Sequence, residues 1–356
     1  MMLPPTKNVP RCPPGSLFGD ILSGGHLGGQ DTAMTRANPY EGFVSPLDAG
    51  EFRSLSSAVS ERECRERYGF GTFAEAAAIY RPNPPCPRCG LPDPGRDGFT
   101  DSGLQRFECR SCGCRFNSLT GTVLEHSKKD MPTWVGFVNV MRFNVPLDAA
   151  AELCGITHQT AFEWRHRIFA TVDGYQDKIV LRDTFWLDET YVNDTDLSHG
   201  YGEARKRGLS KQKVCIAVAI DVHKNPVAVV IGHGKPSSRR MEEGMLPHIA
   251  PGSHMVHDRE KSHGVLIRKA GLTDEAHKAD VRDPEYLEGM QMVNSLCSWI
   301  KRYLWRFTGM SMDNLQSYLN WYVYLFRVKQ ASERWPETER VVRHLLTTAA
   351  RYRSST

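Results

Sequence analysis

Four cysteines in the first third of the chain form two Cys-x-x-Cys pairs, a spacing at which two thiolates can reach one metal ion. They are Cys86, Cys89, Cys109 and Cys112. A glycine follows the second cysteine of each pair and lets the backbone turn there without a Cβ clash. Four thiolates would close a tetrahedral shell around Zn²⁺, so the spacing predicts a structural zinc ribbon. Cys114 is a poorer candidate because only one residue separates it from Cys112.

Two aspartates end apolar segments that have the composition of β-strands. Asp188 follows the segment 185–187, and Asp258 follows the segment 255–257. Carboxylates at the ends of buried strands are too costly to desolvate for packing alone, but they suit hard divalent cations. A pair of such ions can activate a nucleophile and stabilise the leaving oxygen of a phosphoryl transfer. These aspartates therefore predict a catalytic site for two Mg²⁺ or Mn²⁺ ions.

Other polar residues near the aspartates are weaker candidates. Glu189 is a second choice, since neighbouring residues of a strand point to opposite faces. Asp221 lies at a hairpin turn, where turn preference explains an aspartate without a function. His257, Glu260 and His263 flank Asp258, and we expect them beside the ligands or at the surface.

The elements that would position these residues change in type along the chain. Residues 1–50 are rich in glycine and proline, which predicts disorder. Apolar spacing and turn residues then divide the rest into a short helical lead-in (51–82), the zinc ribbon (83–117), a helix-turn-helix region (118–175), a catalytic domain (180–328) and a basic tail (329–356). The overall prediction is a multidomain α+β protein.

Within the catalytic domain the pattern changes from strands to helices. We predict strands at 184–188, 214–220, 227–231 and 254–257, and helices at 290–307 and 313–328. The turn at 223–226 makes the second and third of these strands a hairpin. In the ribbon, short strands are predicted at 98–100 and 104–108.

The segment 147–165 predicts two helices joined by a tight turn at Gly155, with Thr157 capping the second helix. Outward positions on that helix would face a DNA groove, namely His158, Gln159, Glu163 and Arg167. The alternative is an ordinary helical hairpin that packs on the catalytic half. Arginines of the ribbon are candidates for phosphate contacts: Arg88, Arg106, Arg110 and Arg115.

Composition and charge allow a nucleic-acid partner and argue against a membrane protein. The 356 residues are 40% hydrophobic, with a net charge of +4 and basic clusters near residues 205–213, 301–302 and the C-terminus. No apolar run approaches the roughly 20 residues that span a bilayer, and no secretory signal is visible. Together with cysteines at metal-ligand spacing, this predicts reduced thiols and a cytoplasmic, nucleoid-associated protein.

The order of these motifs resembles the ISXO-type transposases, insertion-sequence family fifteen-ninety-five. The resemblance covers about residues 52–328. It rests on the two cysteine pairs, the helix-turn-helix segment, and the segments 187–190, 257–263, 293–296 with Lys301, and 315–320. It implies an RNase H-like α/β catalytic domain with a mixed sheet.

The resemblance also implies the catalytic residues. Two aspartates and a third ligand, Glu or Asn according to subgroup, hold the metal ions, and a lysine follows seven residues after the third ligand. These positions fall on Asp188, Asp258, Asn294 and Lys301. Seven residues are close to two helical turns, so Asn294 and Lys301 would share a face, and the lysine could reach a DNA phosphate. Glu288 is the main rival of Asn294, and Cys297 departs from the histidine expected in the Asn-type subgroup.

The implied activity is that of a DNA transposase. It would bind the inverted repeats at the ends of its element, cleave them and join the 3′ ends to target DNA, working at least as a dimer. Two alternatives remain open. One is a domesticated zinc-ribbon DNA-binding regulator, which the retained aspartates disfavour, and the other is a nuclease or resolvase on the same fold.

Overall fold

The computed structural model describes residues 38–193, 213–280, 282–307, 309–331 and 336–350. The chain forms two compact units, Met1–Arg53 and Ser54–Thr356. Helix α1 covers Glu41–Val44, and helix α2 runs over Ala49–Tyr68. The expectation of disorder over 1–50 is therefore wrong for these helical residues, and residues 1–37 lie outside the described part of the chain.

The cysteine-rich region carries a three-stranded antiparallel sheet, ordered β1-β2-β3. Its strands are β1 (Gly95–Phe99), β2 (Gln105–Glu108) and β3 (Arg115–Asn117). The sequence pattern did not indicate β3. Phe107 and Phe116 stack with ring centroids 5.5 Å apart and, with Cys86 and Cys109, form a small core of their own. So little apolar surface cannot hold a domain together unaided, which is the usual condition of small metal-stabilised modules.

Four helices surround this region in sequence: α3 (Phe73–Tyr80), α4 (Met131–Arg142), α5 (Leu147–Leu153) and α6 (His158–Ala170). As predicted, the side chain of Thr157 caps α6 by accepting from the N–H of Thr160. Gly155 has a φ of +58°, the left-handed conformation that a tight turn between α5 and α6 needs. Trp164 of α6 stacks on Trp134 of α4 with ring centroids 3.7 Å apart, so these two helices share an aromatic core.

The second half contains a five-stranded mixed sheet, which confirms the predicted mixed sheet. Its strands are β4 (Thr184–Val192), β5 (Val214–Asp221), β6 (Pro226–His233), β7 (His254–His257) and β8 (Thr273–Ala276). The order is β6-β5-β4-β7-β8. The first three strands form an antiparallel meander that includes the predicted hairpin, whereas β7 and β8 run parallel to β4.

The second half of the chain also contains helices, several of which pack on this sheet. They are α7 (Ser238–Met245), α8 (Gly264–Ala270), α9 (Pro284–Gly289), α10 (Gln291–Leu304) and α11 (Leu315–Gln330). Helix α7 packs on β5 and β6, and α10 packs on β4 and β5. Every residue of β5 is consequently buried, including Asp221, whose carboxylate accepts from the backbone N–H of Asn225 at 2.8 Å. This hairpin role accounts for Asp221 without a catalytic function.

The C-terminal residues include a last helix, α12 (Glu337–Thr347), which packs on α3, α4 and α11 and buries Val341, Val342, Leu345 and Leu346. The prediction of a basic tail over 329–356 is thus wrong for this helix. Its apolar residues recur at helical spacing and pack against the neighbouring helices. The helices α3 to α6 and the mixed sheet also share one continuous hydrophobic core. Among the described residues, the cysteine-rich sheet has a small core of its own.

Candidate functional site

The parallel pairing of β4 with β7 brings the two predicted aspartates together. Leu187 is paired with His257, and an aspartate follows each of them, Asp188 within β4 and Asp258 just beyond the end of β7. One carboxylate oxygen from each aspartate, and one from Glu189, all lie within 4.8 Å of one another. Three acidic side chains therefore meet at one place on the sheet.

Asp188 lies on the face of β4 that α10 covers. The Sγ of Cys297, in α10, is 4.0 Å from Asp188 Oδ2. Two residues earlier in β4, the indole Nε1 of Trp186 donates to the carbonyl oxygen of Gly289 at 2.8 Å. Alternation along β4 then sends Glu189 to the other face, where its Oε1 lies 2.7 Å from His263 Nε2.

Glu189 nevertheless reaches the two aspartates. As strand alternation predicts, Glu189 points to the opposite face of β4 from Asp188, but β7 ends at His257, beside these two residues. Because β7 does not continue beside residues 188 and 189, the carboxylates of Asp188 and Glu189 can reach the same point from opposite faces of β4. The position at which β7 ends therefore determines that these carboxylates come together.

Electrostatics make this cluster a fitting site for a divalent cation. Burial, followed by the charges of Asp258 and Glu189, raises the pKa of Asp188 to about 7. The crowding of three carboxylates disfavours the fully ionised state unless a positive charge enters. Oxygen donors alone are the ligand type that Mg²⁺ and Mn²⁺ prefer. The residues present thus fit the predicted ions.

A chain of buried imidazoles stands behind Glu189. His263 and His257 face each other through their Nδ1 atoms at 3.0 Å, and His257 Nε2 lies 3.4 Å from Asp274 Oδ2 on β8. The side chains of His263, Glu189 and His257 are 0%, 5% and 6% exposed. The prediction left open whether these histidines lie at the surface, and both are interior. No sequence signal pointed to Asp274.

The protonation of the two histidines follows from these contacts. The outer ring nitrogens face the carboxylates of Glu189 and Asp274, and a proton lies between the two Nδ1 atoms. Burial alone would lower the pKa of His263, but its hydrogen bond with Glu189 raises it, whereas burial and the charge of His263 lower the pKa of His257. His263 is accordingly the more basic of the two imidazoles, and it lies next to the carboxylates.

Helix α10 carries the other predicted catalytic residues. Asn294 is half-buried near its start and hydrogen-bonds with the side chain of Tyr286. Burial and then the charge of Asp188 raise the pKa of Tyr286, which places this pair beside the aspartates. Lys301 is exposed two turns further along, and Glu288, at the end of α9, is also exposed.

Cys297, the departure from the family pattern, is buried in α10 against Asp188. Burial and the neighbouring carboxylate raise the pKa of its thiol above the ordinary range. The thiol therefore keeps its proton and can direct it towards Asp188 Oδ2, as a weak donor in the place where a histidine is expected.

The four predicted zinc ligands also come together, with their sulfur atoms within 4.8 Å of one another. The Sγ atoms of Cys86 and Cys112, and those of Cys89 and Cys109, are 3.6 Å apart. Desolvation alone would raise the pKa of Cys86, but hydrogen bonds from backbone N–H groups and neighbouring thiols lower it to about 6. Backbone donors also lower the pKa of Cys109, whereas the pKa values of Cys89 and Cys112 are raised. Cys114 lies outside this group and points to the Arg115 carbonyl.

The predicted DNA-contacting residues are divided between two surfaces. Arg88, Arg106 and Arg110 are exposed on the cysteine-rich sheet, and His158 and Gln159 are exposed at the start of α6. Arg167 is half-buried further along α6. The basic residues at 205–211 lie outside the described residues.

An open groove of about 810 Å³ lies between the first cysteine pair and the later part of α6. Arg88 of the cysteine-rich region, Arg167 of α6 and His126 of the connecting segment all line it, with Glu125 as the acidic member. Its lining therefore includes two arginines and one glutamate.

No protein-family model and no curated protein sequence matches the chain. Among solved structures, the chain is similar to a pre-cleavage Mos1 transpososome, with a TM-score of 0.18, 10% identity, and coverage of 64% of this chain and 82% of that chain. It is also similar to the Mos1 strand transfer complex, with a TM-score of 0.19, 13% identity, and coverage of 56% and 76%. At TM-scores this low the likeness carries no argument about what this chain does. No described helix is long and apolar enough to cross a membrane.

Proposed function

We propose that this chain is the DNA transposase of an insertion sequence, with a zinc ribbon and helix-turn-helix for DNA binding and an RNase H-like catalytic half. The observation that carries the proposal is the meeting of Asp188, Glu189 and Asp258 where β4 runs beside the end of β7. Few structural roles require three carboxylates in a half-buried position, whereas phosphoryl transfer with two metal ions does.

The catalytic residues would divide the work. Asp188, Asp258 and Asn294 would hold the divalent ions, and Glu189 is available as a further oxygen ligand. When bound, the ions would supply a nucleophile activated at neutral pH and charge stabilisation for the leaving oxygen. Lys301, exposed on the same helix as Asn294, would bind a DNA phosphate and hold the strand in line.

The remainder of the chain would bring the DNA to this site. Cys86, Cys89, Cys109 and Cys112 would bind zinc and fix the small sheet that presents Arg88, Arg106 and Arg110. His158 and Gln159 would read base edges from the start of α6, with Arg167 at the open groove. Synapsis of two element ends needs at least two copies of the chain. A protein that acts on chromosomal DNA in this way would be cytoplasmic and associated with the nucleoid.

The test is cleavage and joining of DNA that carries the inverted-repeat ends of the element, with Mg²⁺ present. Asp258→Ala should abolish both steps while end binding stays within about threefold of wild type, because binding rests on the ribbon, α6 and basic surface. Glu275→Ala, which removes an exposed carboxylate of β8, is the matched control and should remain active.

The products distinguish the alternatives. A transposase yields strand-transfer products, a nuclease or resolvase yields cuts without joining, and a regulator binds the ends and leaves them intact. Wild-type cleavage by Asp258→Ala would contradict the proposed site.

A further inference from the structure

We infer that His263 and His257 are positioning residues for the metal site, and that they fix Glu189 there as its third carboxylate through a buried chain of hydrogen bonds anchored on Asp274. The inference rests on the proposed function, since it concerns the same site. It assigns a role to a carboxylate on the opposite face of β4 from Asp188.

The geometry of the chain is continuous from the surface to the site. Asp274 on the edge strand β8 contacts His257 at 3.4 Å, His257 contacts His263 at 3.0 Å, and His263 contacts Glu189 at 2.7 Å. Only the Asp274 carboxylate has appreciable exposure, at 37%. Each inner member is thus held by a partner on both sides, and none can rotate without breaking a buried hydrogen bond.

Two features of the fold produce this arrangement. His257 is the last residue of β7, and the chain reverses just beyond it through Arg259, which has a φ of +67°. A 3-10 turn over Lys261–His263 then carries His263 back beneath the strand end. Without His263 in this position, the Glu189 side chain could sample many rotamers on its face of β4.

A carboxylate that binds a metal ion is commonly oriented by a hydrogen bond to its second oxygen, and histidine is a suitable donor. Here Glu189 Oε1 accepts from His263, which leaves Oε2 for an ion shared with the aspartates. His263 Nδ1 also lies 3.9 Å from Asp258 Oδ1, so the same imidazole stands beside two of the three acidic groups. Loss of this chain should loosen the ion rather than unfold the sheet.

The experiment measures Mn²⁺ binding to zinc-loaded full-length protein without DNA, by the electron paramagnetic resonance signal of free Mn²⁺. His263→Leu should weaken binding about tenfold or more, within the range that loss of outer hydrogen-bond partners costs. Asp274→Ala acts through two imidazoles and should have a smaller effect, about threefold. Glu275→Ala, at the neighbouring exposed position of β8, should bind Mn²⁺ like wild type.

A second pair of variants tests the chain itself. His263→Gln keeps an N–H donor for Glu189 but cannot continue the link to His257, so it should retain more Mn²⁺ affinity than His263→Leu. In that background Asp274→Ala should have no further effect, because the link it acts through is already cut. A merely structural role of Asp274 would give the same loss in both backgrounds and would overturn the inference.

Two further outcomes separate this inference from the proposed function. If Asp258→Ala abolishes Mn²⁺ binding while Glu189→Gln leaves it unchanged, the metal site stands and the role of Glu189 and its histidines is wrong. If Asp258→Ala leaves Mn²⁺ binding unchanged, the metal site itself is wrong and the inference falls with it. Thermal unfolding of each variant, near that of wild type, shows that a changed affinity is not the result of lost structure.

Discussion

At the scale of single residues, the site is defined by uncompensated negative charge. Asp188 has a raised pKa of about 7 because it is buried beside Asp258 and Glu189. His263 lowers this pKa only weakly, since it contacts Glu189 on the opposite face of β4. A divalent cation would offset the remaining repulsion, which is why the same carboxylates that destabilise the empty arrangement favour the bound one.

The third ligand of the resemblance, Asn294, contributes an oxygen but no charge. We expect Asn294→Ala to reduce DNA cleavage by about 100-fold or more, the upper end of the losses seen for groups that only orient a ligand. Asn294→Asp should keep some activity and lower the Mg²⁺ concentration needed, because it adds a charge at nearly the same shape. A Mg²⁺ titration of cleavage by each variant provides the measurement.

Glu288→Ala is the companion variant for this test. Its side chain is exposed at the end of α9, and it should therefore behave like wild type. An inactive Glu288→Ala together with an active Asn294→Ala would move the third ligand to Glu288.

At the scale of elements, the cysteine-rich sheet and α10 are stabilised in different ways. Helix α10 is long, packs on β4 and β5, and takes its position from the main core. The three strands β1 to β3 are short and their core is limited to Phe107, Phe116 and cysteine sulfur. The first element should survive metal removal, and the second should not.

We predict that Cys109→Ser lowers the zinc content from about one per chain and weakens DNA-end binding, while the main unfolding transition changes little. The reason is that a three-thiolate site holds zinc less firmly, and the small sheet has its own core. Metal analysis and calorimetry give the readouts. Cys114→Ser is the control, since that sulfur lies outside the cluster, and loss of zinc in Cys114→Ser instead would revise the ligand set.

At the scale of the whole second unit, α12 links helices that are distant in sequence. The hydroxyl of Tyr80 donates to Glu339, Arg142 donates to Glu337, and His344 Nε2 donates to the carbonyl oxygen of Thr171 at 3.1 Å. The C-terminal helix therefore joins α3, α4 and the end of α6 into the core shared with the mixed sheet. Its loss should affect stability far from the C-terminus.

This link gives a pH dependence with a definite sign. Burial lowers the pKa of His344 below its ordinary 6.5. As pH falls below about 6.5 the unfolded chain gains a proton that the folded chain does not, so the free energy of unfolding decreases. We expect His344→Gln, which keeps a donor for Thr171, to lose less stability between pH 8 and pH 5.5 than wild type, as measured by denaturant unfolding.

The exposed His126→Asn should follow the wild-type profile and serves as the control. Its backbone φ of +59° is one that asparagine tolerates, so the substitution adds no strain. Equal pH dependence in His344→Gln and wild type would contradict the assignment of this histidine.

Local spacing alone determined several features of this protein. The grouping of Cys86, Cys89, Cys109 and Cys112, the cap by Thr157 and the β5–β6 hairpin all depend on residues a few positions apart or on short turns with strong preferences. The approach of Asp188 to Asp258 also followed from strand patterns, because both aspartates follow apolar strand segments.

Only the tertiary structure decided the remainder. Glu189 joins the aspartates because β7 stops at His257, although strand alternation places it on the opposite face of β4. His263 and Asp274 belong to separate segments, yet His257 connects them in one hydrogen-bonded chain. The apolar face of α12 is buried because the helix packs on α3, α4 and α11. Such contacts join residues tens to hundreds of positions apart, and no periodicity within one segment carries information about where another segment ends.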